Sequence, residues 1–188
     1  MALNRKEFLR EACLSGICLC GFSALATAKD NAGNHESVPS TQDNNNALLQ
    51  EWISVLLSNL NSGLDKEEIR KTIKKSSIVH YNNLKMDEML KDYENNLEKF
   101  IVFIEEKWGW KIEYNAQTKT IIANENKNYC VCPMVNKEKG ISSAICYCSE
   151  GFAEKMFSKV IGRTVNATVV SSIQRGDISC KYKIEWAI

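Results

Sequence analysis

The sequence predicts an α+β domain in which N-terminal helices pack on an antiparallel sheet, followed by a cysteine-rich loop, a short helix and a C-terminal β-hairpin. Three observations lead to this fold class. Apolar residues recur at helical spacing between residues 47 and 108, alternating strand patterns follow Gly109, and a cleanly alternating segment closes the chain. A chain of 188 residues holds one domain of ordinary size with extensions. We therefore expect a single domain over residues 47–188.

Residues 1–28 have the features of an export signal. Arg5 and Lys6 supply the positive start, an apolar run follows from Ala12, and the "ATA" before Lys29 fits a small-x-small cleavage site. The start "NRKEFLRE" resembles a twin-arginine signal with Arg5-Lys6 in place of the arginine pair. We expect an exported, periplasmic protein. The apolar run is shorter and more broken than a spanning helix needs, so we expect no stable membrane span after cleavage.

The segment that follows the signal, residues 29–46, is polar and rich in asparagine, which predicts a flexible linker. The formal net charge is +1, with 24 basic and 23 acidic residues. Such a balance creates no strong field toward nucleic acid, and we expect no nucleic-acid partner. The chain also has no Walker-type loop and no dinucleotide fingerprint. The sequence leaves the oligomeric state unknown.

Three helices are predicted before the sheet. The first starts at Ala47, and its apolar residues recur every four positions: Leu48/Leu49, Trp52/Ile53, Leu56/Leu57 and Leu60. The second follows Asp65, which stands three residues before Glu68 in a capping arrangement. The third is predicted as one long helix from Met86 to Trp108, ended by Gly109. His80, the only histidine in the predicted domain, is the one residue that a Ser-His or Cys-His catalytic pair would use.

The sheet is predicted from four alternating segments. "WKIEYN" and "KTIIAN" follow the third helix, and a β-hairpin with its turn at Gly176 closes the chain. In the last strand, period two places one set of residues on the buried side: Ile178, Cys180, Tyr182, Ile184 and Trp186. Between these pairs of strands, a short helix is predicted with Ser149 as its N-cap and Gly162 as its stop.

Cysteine dominates the candidate chemistry. Signal cleavage removes three cysteines and leaves five, namely Cys130, Cys132, Cys146, Cys148 and Cys180. Four of them form two Cys-x-Cys pairs, and the second pair lies at a predicted helix start, which would favour the thiolate. Three alternatives stay open: a metal or thiol site in which Zn²⁺ is the expected cofactor, structural disulfides, or unpaired buried thiols.

The segment from Cys146 to Trp186 resembles the C-terminal half of the 4-vinyl reductase-type sensor domain. The matching parts are a cysteine, an amphipathic helix, Gly162-Arg163, a strand, the turn at Gly176, and "CKYKI" from Cys180. The aminothiazoline-carboxylate hydrolase-like group has the same tail and a Cys-Pro before the helix, as in Cys132-Pro133. The sequence departs from many sensor-type members at Ser172, where they have another cysteine.

The resemblance implies an α+β fold with an apolar pocket for a small molecule and a zinc held by cysteines. We expect an exported small-molecule-binding domain, with all five cysteines as candidate ligands. Four aromatic residues are candidate pocket residues, with core packing as the alternative: Trp108, Trp110, Phe152 and Tyr182. Two other functions stay open, a hydrolase of the aminothiazoline-carboxylate type and a non-catalytic binding module stapled by disulfides.

Overall fold

The computed structural model describes residues 41–136 and 141–187 of the chain, and these residues belong to one unit, Pro39–Ile188. The export signal predicted at residues 1–28 and most of the predicted linker lie outside the described residues. The linker's last residues are helical, because the first helix begins at Thr41 rather than at Ala47.

Within the described residues, four α-helices precede a small sheet in the chain and a fifth lies between its second and third strands. The five α-helices are α1 (Thr41–Gly63), α2 (Lys66–Asn83), α3 (Met86–Met89), α4 (Leu97–Trp108) and α5 (Tyr147–Ile161). Single turns of 3₁₀-helix lie at Lys91–Tyr93, Ser143–Cys146 and Ile173–Arg175. The four strands are β1 (Lys111–Asn115), β2 (Thr120–Asn124), β3 (Asn166–Ser171) and β4 (Lys181–Glu185), all antiparallel in the order β1-β2-β4-β3. The predicted α+β class and the C-terminal hairpin are confirmed.

The main core lies between the buried face of the sheet and helices α4 and α5. Alternate residues of the central strands point into it, such as Ile121 of β2 and Ile184 of β4, which are register partners. Phe100 of α4 and Phe157 of α5 pack edge to face above them, with ring centroids 5.6 Å apart. A second cluster lies where α1 and α2 meet the loop that follows β2 and the first turn of α5.

Helix α1 is only partly covered by this second cluster. Leu57 is buried, but the predicted apolar face is split, and Leu48, Leu49 and Trp52 are exposed, Trp52 by 61%. The amphipathic face predicted for this helix is therefore only partly buried. The contact of α1 with α2 is narrow, because Ile69 and Ile73 are the buried α2 residues that pack in the same cluster as Leu57.

The stripe predicted as one helix from Met86 to Trp108 is broken into α3, a 3₁₀ turn and α4. The break lies at Asn95, which has φ 58°, and at Asn96, whose side chain accepts a hydrogen bond from the N–H of Lys99 and caps α4. Asparagine tolerates the left-handed region and caps helices well, so local chemistry overrides the continuous apolar stripe.

Two further boundaries differ from prediction. Helix α5 begins at Tyr147, so Cys146 is the N-cap and Ser149 lies inside the first turn. Strand β4 begins at Lys181, and Ile178, predicted to be buried, is 86% exposed because it belongs to the turn. Cys180, Tyr182 and Ile184 are buried as predicted.

Helix α5 is fixed against α2 and β3 by a buried carboxylate. Glu150 accepts hydrogen bonds from Arg70 of α2 (Nε to Oε2, 2.7 Å) and from the backbone N–H of Val169 in β3 (2.9 Å to Oε1). One residue on, Gly151 lies directly against the backbone carbonyl of Lys74. These contacts set where the first turn of α5 lies. Among residues 41–136 and 141–187, no helix combines the length and apolarity needed to cross a membrane.

Candidate functional site

A cavity of about 360 Å³ lies at the edge of the sheet where β2 ends and β4 begins. It is bounded by the first turns of α5, by the end of α2, and by the loop that follows β2. All nine residues proposed from the sequence line it: Cys130, Cys132, Cys146, Cys148, Cys180, Trp108, Trp110, Phe152 and Tyr182. The fold thus brings together residues that are up to 74 positions apart (Trp108 and Tyr182).

The cysteines reach the cavity from three separate elements. Cys130 and Cys132 lie on the loop after β2, and Cys146 and Cys148 lie at the start of α5. Cys180 directly precedes β4, and its carbonyl accepts a hydrogen bond of 3.0 Å from the N–H of Glu125. All five are free thiols in the structure, so the disulfides considered from the sequence are not formed among these residues.

Burial disfavours ionisation of four of these thiols. Burial raises the pKa of Cys132 to about 12 and that of Cys180 to about 11. Burial also raises the pKa of Cys146 and Cys148. The prediction that the helix start would favour thiolates at these two positions is therefore wrong, because desolvation outweighs the helix dipole there.

Ser172, where sensor-type relatives have a cysteine, is buried and lies on the cavity wall. Its Oγ and the Sγ of Cys146 form a hydrogen bond of 3.4 Å. In the part of the chain that the structure describes, no three or more Cys, His, Asp or Glu side chains are grouped so that they could hold a metal ion. Zinc binding at the five cysteines stays a prediction.

Three of the four candidate aromatic residues form a continuous row. Trp108 and Trp110 meet edge to face at 5.5 Å, and Trp110 stacks on Tyr182 at 6.1 Å. On the opposite side, Phe152 of α5 packs against the ring of His80, with centroids 4.9 Å apart. Burial lowers the pKa of His80, which favours the neutral imidazole at the cavity edge.

Glu125 is a cavity residue that the sequence analysis missed. Its carboxyl group is buried and accepts a hydrogen bond of 2.5 Å from the hydroxyl of Tyr182. Burial raises the pKa of Glu125, and burial together with this carboxylate raises the pKa of Tyr182. A signal was present, since the alternation that buries Ile121 and Ala123 continues to Glu125 and places it on the same face.

Comparison with known proteins gives a family and a fold. A family model described as "Family of unknown function (DUF6144)" matches residues 22–187. No relative was found among curated proteins. The resemblance to 4-vinyl reductase-type sensor domains remains an interpretation of the sequence.

The solved structures that are similar to this chain include the following two. One is trafficking protein particle complex subunit 3 from Naegleria fowleri, covalently bound to palmitic acid. It is 12% identical with a TM-score of 0.50, and the match covers 78% of this chain and 97% of that chain. The other is the phenol-responsive sensory domain of the transcription activator PoxR with phenol. It is 11% identical with a TM-score of 0.39, over 72% of this chain and 73% of that chain.

Proposed function

The chain belongs to the DUF6144 family, and from that premise we propose that it binds one small apolar molecule in the cavity described above. The observation that carries the proposal is the lining, in which aromatic, aliphatic and thiol groups surround a space of about 360 Å³. Ligand pockets in proteins typically measure ~300–1,000 Å³ and combine apolar walls with a few polar groups. This cavity fits a ligand at the small end of that range.

The fold supports the proposal. The Naegleria protein has the same architecture at low identity and is covalently bound to palmitic acid, an acyl chain that is apolar over most of its length. In this chain we propose that binding is non-covalent. A thiol attacks as the thiolate, and burial raises the pKa of Cys132, Cys146, Cys148 and Cys180.

The same reasoning ranks the hydrolase alternative below binding. A thiol hydrolase needs a nucleophile that a general base keeps ionised. His80 lines the cavity, but its ring packs against Phe152, and burial of Cys146 opposes formation of its thiolate. Zinc at the cysteines and export to the periplasm remain parts of the proposal for metal analysis and cell fractionation to test.

The test is a titration of the purified protein with N-phenylnaphthylamine, an uncharged dye whose fluorescence rises when it leaves water. Ala153 lines the cavity from α5, so Ala153→Leu places three extra carbon atoms into it. We expect saturable binding of about one dye per chain, weakened about tenfold by the substitution, or ~1.4 kcal/mol. Because Ala153 also touches the core, Ser149→Leu, one helical turn earlier on the same wall, provides a second filled variant.

The matched control is Lys155→Leu, which makes the same side chain on an exposed position of the same helix away from the cavity. Its dye affinity should equal that of the wild type. Circular dichroism shows that each variant is folded before it is titrated. If folded Ala153→Leu and Ser149→Leu both bind the dye as tightly as the wild type, the cavity is not the binding site.

A further inference from the structure

The cavity has one end that differs in chemistry from the rest. Most of its wall is apolar or carries thiols, but at one end the polar side chains of Glu125 and Tyr182 come together. Tyr182 donates to Glu125 Oε1 at 2.5 Å. Polar groups at one end of an apolar cavity fix the orientation of a ligand.

The hydrogen-bonding capacity of this end can be counted by donors and acceptors. The Tyr182 hydroxyl donates to Glu125, so its proton is used inside the protein. A carboxylate offers about four acceptor positions over its two oxygens, and Tyr182 occupies one of them. The unused capacity at this end therefore lies on the Glu125 carboxyl group, and it accepts.

The charged groups around Glu125 also favour a ligand head that is uncharged and donates a hydrogen bond. Of the described residues that line the cavity, none is a lysine or an arginine. Lys127 is the cation near Glu125, but its ammonium group is engaged with the backbone carbonyl of Trp108 at 3.0 Å. An anionic ligand head would meet a buried carboxyl group instead of a cation, and an acceptor-only head would leave two acceptors facing each other.

We propose that the ligand carries an uncharged hydrogen-bond-donating head group, such as a hydroxyl, which binds the Glu125 carboxyl group while its apolar body lies along the aromatic and thiol wall. This inference rests on the proposed function and adds the chemical class of the ligand. A ligand whose head group cannot donate a hydrogen bond leaves the unused acceptor positions of the buried Glu125 carboxyl group without a partner and therefore binds more weakly. The selectivity arises from this loss of binding free energy and not from tighter binding of the apolar body.

The test compares three probes of similar length that displace N-phenylnaphthylamine: decanol, which donates, decanone, which only accepts, and decanoate, which is anionic. We expect the wild type to bind decanol about tenfold tighter than decanone, and decanoate more weakly still. In Glu125→Gln the amide both donates and accepts, so decanol and decanone should bind within about twofold of each other. Glu113→Gln makes the same change on an exposed position of β1 and should keep the wild-type order.

The outcomes separate the two proposals. Decanone or decanoate binding as tightly as decanol overturns the head-group assignment, while dye binding that Ala153→Leu weakens leaves the cavity as the site. An unchanged tenfold preference for decanol in Glu125→Gln also overturns it, because the selectivity would then arise elsewhere. Absence of binding by the dye and by all three probes contradicts the proposed function itself.

Discussion

Substitution of Gly151 by alanine tests the contact that places the cavity-forming turn of α5. A Cβ at this position would lie 2.5 Å from Ser77 Oγ and 2.8 Å from the Lys74 carbonyl carbon, and closer still to the carbonyl oxygen. The Ser77 side chain can rotate, but the backbone of α2 cannot. Helices α2 and α5 must therefore separate to restore contacts of ~3.5–4 Å between carbon atoms.

The expected cost follows from two opposing terms. Overpacking of a close-packed contact costs ~1–3 kcal/mol, and backbone atoms place Gly151→Ala at the upper end. Alanine gains about 1 kcal/mol over glycine in a helix interior. The net loss is then about 2 kcal/mol, a large part of the ~5–15 kcal/mol that stabilises a typical domain.

Urea denaturation followed by circular dichroism measures this loss, and Gly63→Ala provides the control. No atom lies within 4 Å of the Cβ built at Gly63, which closes α1 without a positive φ, so that variant should be as stable as the wild type or slightly more stable. Because Ser149 and Phe152 flank Gly151 on the cavity wall, Gly151→Ala should also weaken dye binding about threefold, less than ~1 kcal/mol. Equal stability of Gly151→Ala and the wild type would refute the close approach of α2 and α5.

Three further predictions concern stability and titration. Glu150→Ala leaves Arg70 and the N–H of Val169 without their acceptor and should lower the free energy of unfolding by ~2–3 kcal/mol, whereas a urea midpoint equal to that of the wild type would refute that role. With the other cysteines replaced by serine, iodoacetamide should alkylate Cys180 of the native protein more slowly than free cysteine at pH 7, and the rate should climb as the pH approaches the Cys180 value of about 11; a native rate equal to that of free cysteine contradicts the desolvation. Tyr81 has its pKa raised from 10.0 to about 12, chiefly by burial, so its stabilisation is fully present below pH 10 and is lost as the pH rises through about 12. Ultraviolet difference absorbance should show this tyrosine ionising at higher pH in the folded than in the urea-unfolded chain, and coincident titrations would contradict the prediction.

The sequence predicted those elements of the fold that a single local pattern determines. Alternation located β1 and β2, and Gly109 and Gly162 end α4 and α5 with positive φ, as a glycine stop predicts. The long stripe from Met86 failed as one helix because two adjacent asparagines offered a turn and a cap within it. Only part of the predicted apolar face of α1 is buried, because apolar spacing predicts a stripe on the helix but does not identify the element that covers it.

The sequence predicted nine residues that line the cavity but not the ionisation of its thiols. The inward position of Cys180 follows from period two, and the structure brings it to the same cavity as the two Cys-x-Cys pairs. The pKa values of the thiols depend on how far packing between the loop after β2, the start of α5 and the start of β4 removes them from water. A local sequence pattern does not predict this degree of burial. Glu125 was missed because a polar residue was read as the end of a strand, although the strand's alternation continues through it.

A crystal structure of the protein grown with decanol tests the central claim most directly. The account predicts one decanol molecule in the cavity, with its alkyl chain between Phe152 and Trp110 and its hydroxyl within hydrogen-bond distance of Glu125. Decanol found only on the outer surface, with the cavity closed by its own side chains, would contradict the claim that this fold is built to hold a small apolar molecule.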